Sequence, residues 1–314
     1  MNILHGNSSL KVTAVEAERV ERSSTEHLLA HRKLSLVVDL DQTILHASMN
    51  PMIAKWMEDP CCPHHEAVKS VIPFELNDPF THQPTQYFLK LRNNLLEFLN
   101  EMKDFYELHI YTMGTRSYAS KVVSIIDPTS SLFHDRILSR DDSGSISTKE
   151  LSRIFPCGDS MVVVIDDRSD VWKWSENLIP VKPYEFFVNA GDFNDPAKLQ
   201  SNNPQAFKPI AIAHNDHEDD ELKTISIILK EIHAKFYEFY DSKSMDQLDV
   251  KAKRMIYFIE NFEFNQEARV EWNESRIQRC HSDSTRAIRK SFMEDGFSVW
   301  RSLSQIPFFL CRAE

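Results

Sequence analysis

The sequence lacks a cysteine pair with C-x-x-C spacing, an apolar run that approaches 18 residues, and any internal repeat. Its five cysteines, an odd number without that spacing, favour a reduced intracellular compartment. The absence of a long apolar run predicts that the chain does not span a membrane. The opening residues, MNILHGNSSLKV, have no apolar segment typical of a secretory signal, so none is expected.

Acidic residues outnumber basic ones, which gives a formal net charge of -11. This balance argues against nucleic-acid binding by the chain as a whole and permits a basic or phosphorylated partner. The length of 314 residues allows one large domain with an appendage, or two domains.

Apolar runs alternate with amphipathic segments between residues 34 and 188, which predicts an α/β fold with a parallel sheet flanked by helices. The predicted strands are 34–39, 87–92, 106–112 and 161–167, and the predicted helices are 14–31, 93–105, 117–127 and 222–240. Residues 133–151 are predicted to form a β-hairpin around a DDSG turn.

Two of the predicted strands end on a pair of aspartates. Asp39 and Asp41 end the apolar run LSLVVDLD, and Asp166 and Asp167 end MVVVIDD. Burying unpaired carboxylates is costly, so something must compensate their charge. Ligands of open α/β sheets bind beyond the carboxyl ends of the strands, and Mg²⁺ prefers carboxylate oxygens. We therefore expect the two pairs to share a Mg²⁺ ion.

The order of these motifs resembles the haloacid-dehalogenase-like (HAD-like) phosphohydrolases: D-x-D-x-T at 39–43, Thr112 after a strand, Lys149, and then the acidic pair 166–167. Three further features narrow the resemblance from the superfamily to one family: the segments YTMGT and LSRDDSGS and a proline-rich stretch at 48–86. Within that superfamily they resemble the RNA polymerase II C-terminal-domain phosphatases of the type that associates with transcription factor IIF. The resemblance covers roughly residues 5–195 and implies a HAD-like Rossmannoid sheet with a partly helical insertion.

The resemblance also implies a role for each motif residue. Asp39 is the expected nucleophile, which forms an aspartyl-phosphate, and Asp41 is the expected general acid and then base. Thr43 is expected to hydrogen-bond near the aspartyl loop, Thr112 to hold a phosphoryl oxygen, and Lys149 to neutralise charge. The expected Mg²⁺ ligands are Asp39, Asp41 through its backbone carbonyl, Asp167 and the adjacent Asp166.

Five further residues match family positions with a structural or substrate-orienting role: Arg92, Tyr106, Asp127, Arg140 and Arg168. Arg92 is followed by Asn-Asn, where the family usually has Pro-Gly, so a different turn is expected there.

The function implied by the resemblance is Mg²⁺-dependent dephosphorylation of phosphoserine or phosphothreonine in the heptad repeats of the RNA polymerase II C-terminal domain. The implied partners are that phosphorylated domain and transcription factor IIF, in the nucleus, without direct contact to nucleic acid or membrane. Two alternatives stay open. One is a HAD-type phosphatase for another phosphoprotein or a small molecule, and the other is a non-catalytic scaffold that binds the phosphorylated repeats.

The predicted domain organisation has four parts. They are an N-terminal helical arm (1–33), a catalytic domain (34–200) with the insertion 48–86, an acidic linker (201–221) and a C-terminal extension (222–314). The acidic run 215–221 is predicted to be solvated or to dock a basic partner. The last 74 residues contain one glycine, Gly296, and no glycine-rich turn after a strand, so the family's BRCT domain is expected to be degenerate or missing.

Overall fold

The computed structural model describes residues 2–5, 8–11, 14–77, 83–145, 147–190, 210–213 and 216–242. They belong to the first of two compact units, Met1–Phe258. The α-helices are α1 Ala14–Ala30, α2 Met52–Glu58, α3 His65–Val68, α4 Leu95–Phe105, α5 Arg116–Ile126, α6 Arg140–Ser143 and α7 Glu221–Ser242. The strands are β1 Asn2–His5, β2 Ser8–Lys11, β3 Leu34–Val38, β4 Leu45–Ser48, β5 Ile72–Asn77, β6 Pro84–Leu91, β7 Tyr106–Tyr111, β8 Ile137–Leu138, β9 Val162–Asp166, β10 Leu178–Pro180, β11 Phe187–Val188 and β12 Ala211–Ile212. No helix in these ranges is long and apolar enough to cross a membrane.

A five-stranded parallel sheet, in the order β10-β9-β3-β7-β8, forms the centre of the fold. Side chains alternate between its two faces, and both faces are covered. Leu36 and Val38 belong to the large core that includes α4, α5 and α7, whereas Val37 packs with Tyr111 and Trp172 on the other face. Burial on both faces explains why β3 is apolar except at Ser35, and the predicted α/β fold is confirmed.

The register of the sheet brings the predicted site residues to one edge. Val38 pairs with Ile110 of β7 and with Ile165 of β9, so the three central strands end at the same level. The side chains that follow them therefore meet beyond the carboxyl ends of the strands.

The insertion is partly helical, as predicted, and it also contributes to a second sheet. Strands β4, β6 and β5 are antiparallel in that order, and α2 and α3 connect β4 to β5. Trp56 and Val68 of these helices pack against Tyr184, Phe186 and Phe187 in a separate apolar cluster. The sheet begins at Leu45, slightly before the predicted limit of residue 48.

The hairpin predicted over residues 133–151 is wrong. Its first half forms β8, which pairs in parallel with β7, so it extends the central sheet. The DDSG segment forms helix α6 instead of a hairpin turn. Asp142 accepts a hydrogen bond from the backbone N–H of Ser139 at 2.9 Å, and Gly144 ends the helix in a left-handed conformation at φ 66°. These are helix-capping contacts.

The N-terminal arm was predicted to be helical and the acidic run 215–221 to be solvated or to dock a basic partner. The structure differs from the first prediction and adds contacts to the second. Strands β1 and β2 form an antiparallel hairpin before α1, which the sequence did not predict. Helix α7 confirms the predicted helix 222–240, and its apolar stripe lies in the main core. Asp216 and Asp219 of the acidic run contact buried groups of the catalytic region. The domain boundaries stay predictions, and residues 243–314, with the expected BRCT remnant, lie outside the described residues.

Candidate active site

The loop after β3 winds around the backbone of Leu40. The carbonyl of Leu40 accepts hydrogen bonds from the N–H groups of residues 43–45 at 3.0 to 3.3 Å, and its side chain is fully buried. Gln42 adopts a left-handed conformation at φ 60°, which tightens the turn. As a result Asp39 and Asp41 both face a cavity of about 20 Å³, room for a water molecule or a small ion.

Lys149 lies between the two aspartate pairs. Its Nζ donates to Asp39 Oδ1 at 2.5 Å and to Asp166 Oδ2 at 2.6 Å. Lys149 is 3% exposed. Burial alone would lower the pKa of Lys149, but Asp166 and Asp39 outweigh burial and raise it. The buried amine is therefore held as an ammonium ion.

Thr43 joins the two acidic loops. Its Oγ1 accepts a hydrogen bond from the backbone N–H of Asp167 at 2.9 Å. The same hydroxyl lies within donating distance of Asp39 Oδ2 at 3.4 Å and of Asp167 Oδ1 at 3.3 Å. One threonine thus fixes the loop after β3 against the loop after β9.

Three of the aspartates form a group that suits a divalent cation. One carboxylate oxygen from each of Asp39, Asp166 and Asp167 lies within 4.8 Å of the others. With Asp41 there are four carboxylates, each at most 7% exposed, around the buried ammonium of Lys149. An all-oxygen donor set of this kind fits a hard ion such as Mg²⁺.

The two acids of the second pair have different surroundings. Asp166 Oδ2 accepts from Lys149 and also from Trp172 Nε1 at 2.7 Å, while its Oδ1 accepts from the backbone N–H of Arg168 at 2.7 Å. Both oxygens of Asp166 are therefore engaged by cationic, indole or backbone donors. Asp167 lies beside the hydroxyl of Thr43 and, like Asp166, lines the cavity.

Thr112 and Arg168 also line the cavity, together with Met113 and Val171. Thr112 follows β7 directly, is 1% exposed, and its Oγ1 accepts from the N–H of Gly114 at 2.9 Å. The guanidinium of Arg168 pairs with Asp170 at 2.6 Å and is partly exposed.

Arg92 and Arg140 are not among the residues that line the cavity. Arg92 is 2% exposed, and its Nη1 donates to the carbonyl of Thr43 at 2.8 Å, so it supports the aspartyl loop through the backbone. Arg140 donates its backbone N–H to the carbonyl of Gly114 at 3.0 Å. Its Nη1 is buried without a hydrogen-bond partner among the described residues.

Tyr106 and Asp127 are not brought to the site. Tyr106 is the first residue of β7, at the opposite end of the sheet, and its hydroxyl donates to the carbonyl of Leu229 at 2.7 Å. Asp127 ends α5 and accepts hydrogen bonds from the N–H groups of residues 131–133 at 2.8 to 3.0 Å. The contacts of both residues are with backbone groups away from the cavity and support the fold.

The sequence reasoning missed two aromatic residues of the site. Tyr118 donates its hydroxyl hydrogen to Asp41 Oδ1 at 2.5 Å, and Trp172 bonds Asp166 as described. No local pattern in the sequence indicates these partners, although a buried tyrosine or tryptophan generally needs a partner for its polar atom.

Comparison with known proteins identifies the family. Residues 34–201, more than half of the chain, match the sequence profile described as "NLI interacting factor-like phosphatase". The chain belongs to this phosphatase family. The match spans β3 to the region after β11 and therefore includes every residue that lines the cavity.

Two yeast relatives are described as C-terminal-domain phosphatases of RNA polymerase II. The protein of Schizosaccharomyces pombe is 50% identical over 62% of this chain and 27% of its own length. The protein of Saccharomyces cerevisiae is 45% identical over 60% of this chain and 28% of its own length. The chain thus spans little more than a quarter of these relatives.

Solved structures support the predicted HAD-like fold. The structure of Fcp1, described as an essential RNA polymerase II CTD phosphatase, has a TM-score of 0.67 and 41% identity, with 74% of this chain and 73% of that chain covered. A fission yeast Fcp1 variant bound to beryllium fluoride has a TM-score of 0.65 and 38% identity over the same shares. The family and fold predicted from the motifs are confirmed.

Proposed function

We propose that this protein is a Mg²⁺-dependent phosphatase of phosphoserine or phosphothreonine in the heptad repeats of the RNA polymerase II C-terminal domain. One observation carries the reaction class. Residues that follow three different strands, together with Lys149, surround one small cavity: Asp39, Asp41, Thr112, Asp166 and Asp167. The substrate rests on the descriptions of the relatives and of Fcp1.

The proposed reaction has two steps. A carboxylate oxygen of Asp39 attacks phosphorus, the bond from phosphorus to the serine or threonine oxygen breaks, and Asp41 gives that oxygen its proton. Water then attacks the aspartyl-phosphate, Asp41 takes the proton of the water, and inorganic phosphate leaves with Asp39 restored. Beryllium fluoride, bound in the related structure, mimics a phosphoryl group on a carboxylate.

The other residues of the site neutralise and orient charge. Lys149, already at 2.5 Å from Asp39, offsets the negative charge on the nucleophile and on the phosphoryl group. Thr112 is proposed to hold a phosphoryl oxygen, and Arg140 and Arg168 to orient the substrate. Arg92 and Thr43 act on the loop rather than on the substrate.

Asp39, Asp167 and the backbone carbonyl of Asp41 are the proposed Mg²⁺ ligands, with Asp166 beside them. When bound, the ion would supply positive charge to the phosphoryl oxygens. The engagement of Asp166 by Lys149 and Trp172 supports a secondary role for it. A nuclear location and an association with transcription factor IIF belong to the same proposal and rest on the resemblance.

The test measures phosphate release by the full chain from a singly phosphorylated heptad peptide, with Mg²⁺ or with a chelator. We expect turnover with Mg²⁺ alone and a loss of at least about 10³-fold in Asp39→Asn. Asp104→Asn, an exposed carboxylate on α4, is the matched control. Equal rates in Asp39→Asn and wild type would overturn the nucleophile assignment.

The same assay separates the two alternatives. Faster hydrolysis of sugar phosphates or of unrelated phosphopeptides would favour a phosphatase with another substrate. Binding of the heptad peptide without any phosphate release would favour a non-catalytic scaffold. Four acids and a lysine that converge on one cavity make the scaffold the weaker alternative.

A further inference from the structure

A tyrosine outside the predicted motifs contacts the proposed general acid. Tyr118 is the third residue of α5, and its hydroxyl donates a hydrogen bond to Asp41 Oδ1 at 2.5 Å. Both residues are buried, at 2% and 7% exposure. The contact is short, and a short hydrogen bond of this kind fixes the orientation of a carboxyl group.

We propose that Tyr118 is a positioning residue that selects which oxygen of Asp41 delivers the proton. This inference rests on the proposed function, in which Asp41 protonates the serine or threonine oxygen. A carboxylic acid carries its proton on one oxygen and accepts hydrogen bonds on the other. A tyrosine that donates to Oδ1 therefore leaves Oδ2 as the oxygen that carries the proton. The same hydrogen bond fixes the torsion angle of the carboxyl group about the Cβ–Cγ bond of Asp41.

The insertion sheet holds Tyr118 in place. Phe74 of β5 and Tyr87 of β6 stack at 5.2 Å between ring centroids, with an interplanar angle of 7°. The ring of Tyr118 lies 5.8 Å from that of Tyr87 and 6.3 Å from that of Phe74. Such aromatic pairs stabilise a defined ring position. The insertion sheet thus connects to the proposed acid through one ring.

The loop after β7 leaves space for the same ring. A Cβ atom added at Gly114 would lie 2.6 Å from Cδ1 of Tyr118, closer than carbon atoms can approach. Any side chain at this position would displace the tyrosine or the loop. Glycine at position 114 of the YTMGT segment therefore leaves room for the ring of Tyr118, which contacts Asp41.

The test compares two substrates with different leaving groups in wild type and Tyr118→Phe. A phosphoserine heptad peptide expels an alkoxide that requires a proton, whereas p-nitrophenyl phosphate expels a phenolate that leaves without one. We expect kcat/KM, which reports the first step and not the shared hydrolysis of the aspartyl-phosphate, to fall at least about tenfold on the peptide and less than about threefold on p-nitrophenyl phosphate. KM for the peptide should stay unchanged.

Tyr237→Phe is the matched control, because its hydroxyl is also buried and donates to a backbone carbonyl, that of Lys33 at 2.9 Å. It should lower stability to a similar degree without changing the ratio of the two activities. An equal loss on both substrates in Tyr118→Phe, or no loss, would overturn the positioning role. Failure of the wild type on both substrates would instead contradict the proposed function.

Two further variants test the connection if Tyr118→Phe is unstable. Phe74→Leu should change the ratio of activities in the same direction, since it loosens the ring without touching Asp41. In the background of Asp41→Asn, Tyr118→Phe should cause no additional loss on the peptide, because its target is gone. Additive losses in that double variant would contradict the proposal.

Discussion

The guanidinium of Arg92 joins the acidic run 215–221 to the aspartyl loop. Its Nε donates to both carboxylate oxygens of Asp219 at 3.1 Å, while its Nη1 donates to the carbonyl of Thr43 at 2.8 Å. The side chains are 0% exposed for Arg92 and 17% for Asp219. A segment that the sequence predicted to be solvated or to dock a basic partner therefore neutralises a buried arginine that supports the proposed active site.

Replacement of Asp219 by alanine should be costly, because it leaves the buried charge of Arg92 without its partner. We expect the free energy of unfolding to fall by about 3 kcal/mol. We also expect phosphatase activity to fall, since the loop that carries Asp39 loses support. Chemical denaturation and phosphate release measure the two effects.

Asp220→Ala is the control for this prediction. The neighbouring carboxylate is 65% exposed and pairs with Lys223 on the surface. Its loss should change the free energy of unfolding by less than about 0.5 kcal/mol. Equal effects of the two substitutions would contradict a special role for Asp219.

Asp127 should contribute to stability rather than to catalysis. Burial alone would raise the pKa of Asp127, but its hydrogen bonds from the N–H groups of residues 131–133 outweigh burial and lower it. Asp127→Ala should reduce the free energy of unfolding by about 2 kcal/mol, with little change in kcat of the folded fraction.

The pH dependence of that difference has a definite sign. A carboxylate with a lowered pKa in the folded state binds its proton more readily when unfolded. Its contribution is therefore fully present above the unfolded pKa of about 3.9 and is lost as the pH falls through the folded pKa. The gap between wild type and Asp127→Ala should narrow below about pH 4. Asp135 is exposed, so Asp135→Ala should have nearly the same free energy of unfolding as wild type at every pH. If the difference between wild type and Asp127→Ala instead widened in acid, the stabilising role of the ionised Asp127 would be contradicted.

The strand ends of this fold were predictable from sequence because they depend on local patterns. Buried β-branched runs that stop at aspartates indicated β3 and β9, and the order of motifs indicated that their ends meet. Apolar spacing likewise located α4, α5 and α7 to within two residues at each end.

The features that escaped prediction depend on contacts between distant segments. The pairing of β8 with β7 replaced a locally reasonable hairpin, since a parallel neighbour satisfied the backbone of Ile137 and Leu138. The contact of Tyr118 with Asp41 joins residues 77 positions apart, and no local pattern reports it. Tyr106 matched a family position, yet it begins the predicted strand 106–112, and the register of β7 confirms that it lies at the end of the sheet opposite Thr112.

Gly114→Ala should act through Tyr118. The added methyl group would lie 2.6 Å from the tyrosine ring, so the ring or the loop must shift. We expect the variant to lose activity on the phosphoserine peptide at least about tenfold, with a smaller loss on p-nitrophenyl phosphate. Gly158→Ala is the control, because an added Cβ there meets no atom within 4 Å. Equal activity of the two variants would mean that the loop yields without moving Tyr118.

Magnesium should stabilise the fold through the acidic group, independently of turnover. Asp39, Asp166 and Asp167 lie together beside the ammonium of Lys149, whose one charge does not balance theirs, so a bound divalent ion would relieve their mutual repulsion. At a free Mg²⁺ concentration of 100 times Kd, we expect the free energy of unfolding to rise by about 2.7 kcal/mol over the value in chelator. Asp167→Asn should raise stability in chelator and abolish most of the rise, whereas Asp104→Asn should leave the rise intact. A rise of equal size in Asp167→Asn would exclude Asp167 as a ligand, and no rise in wild type would contradict a Mg²⁺ site.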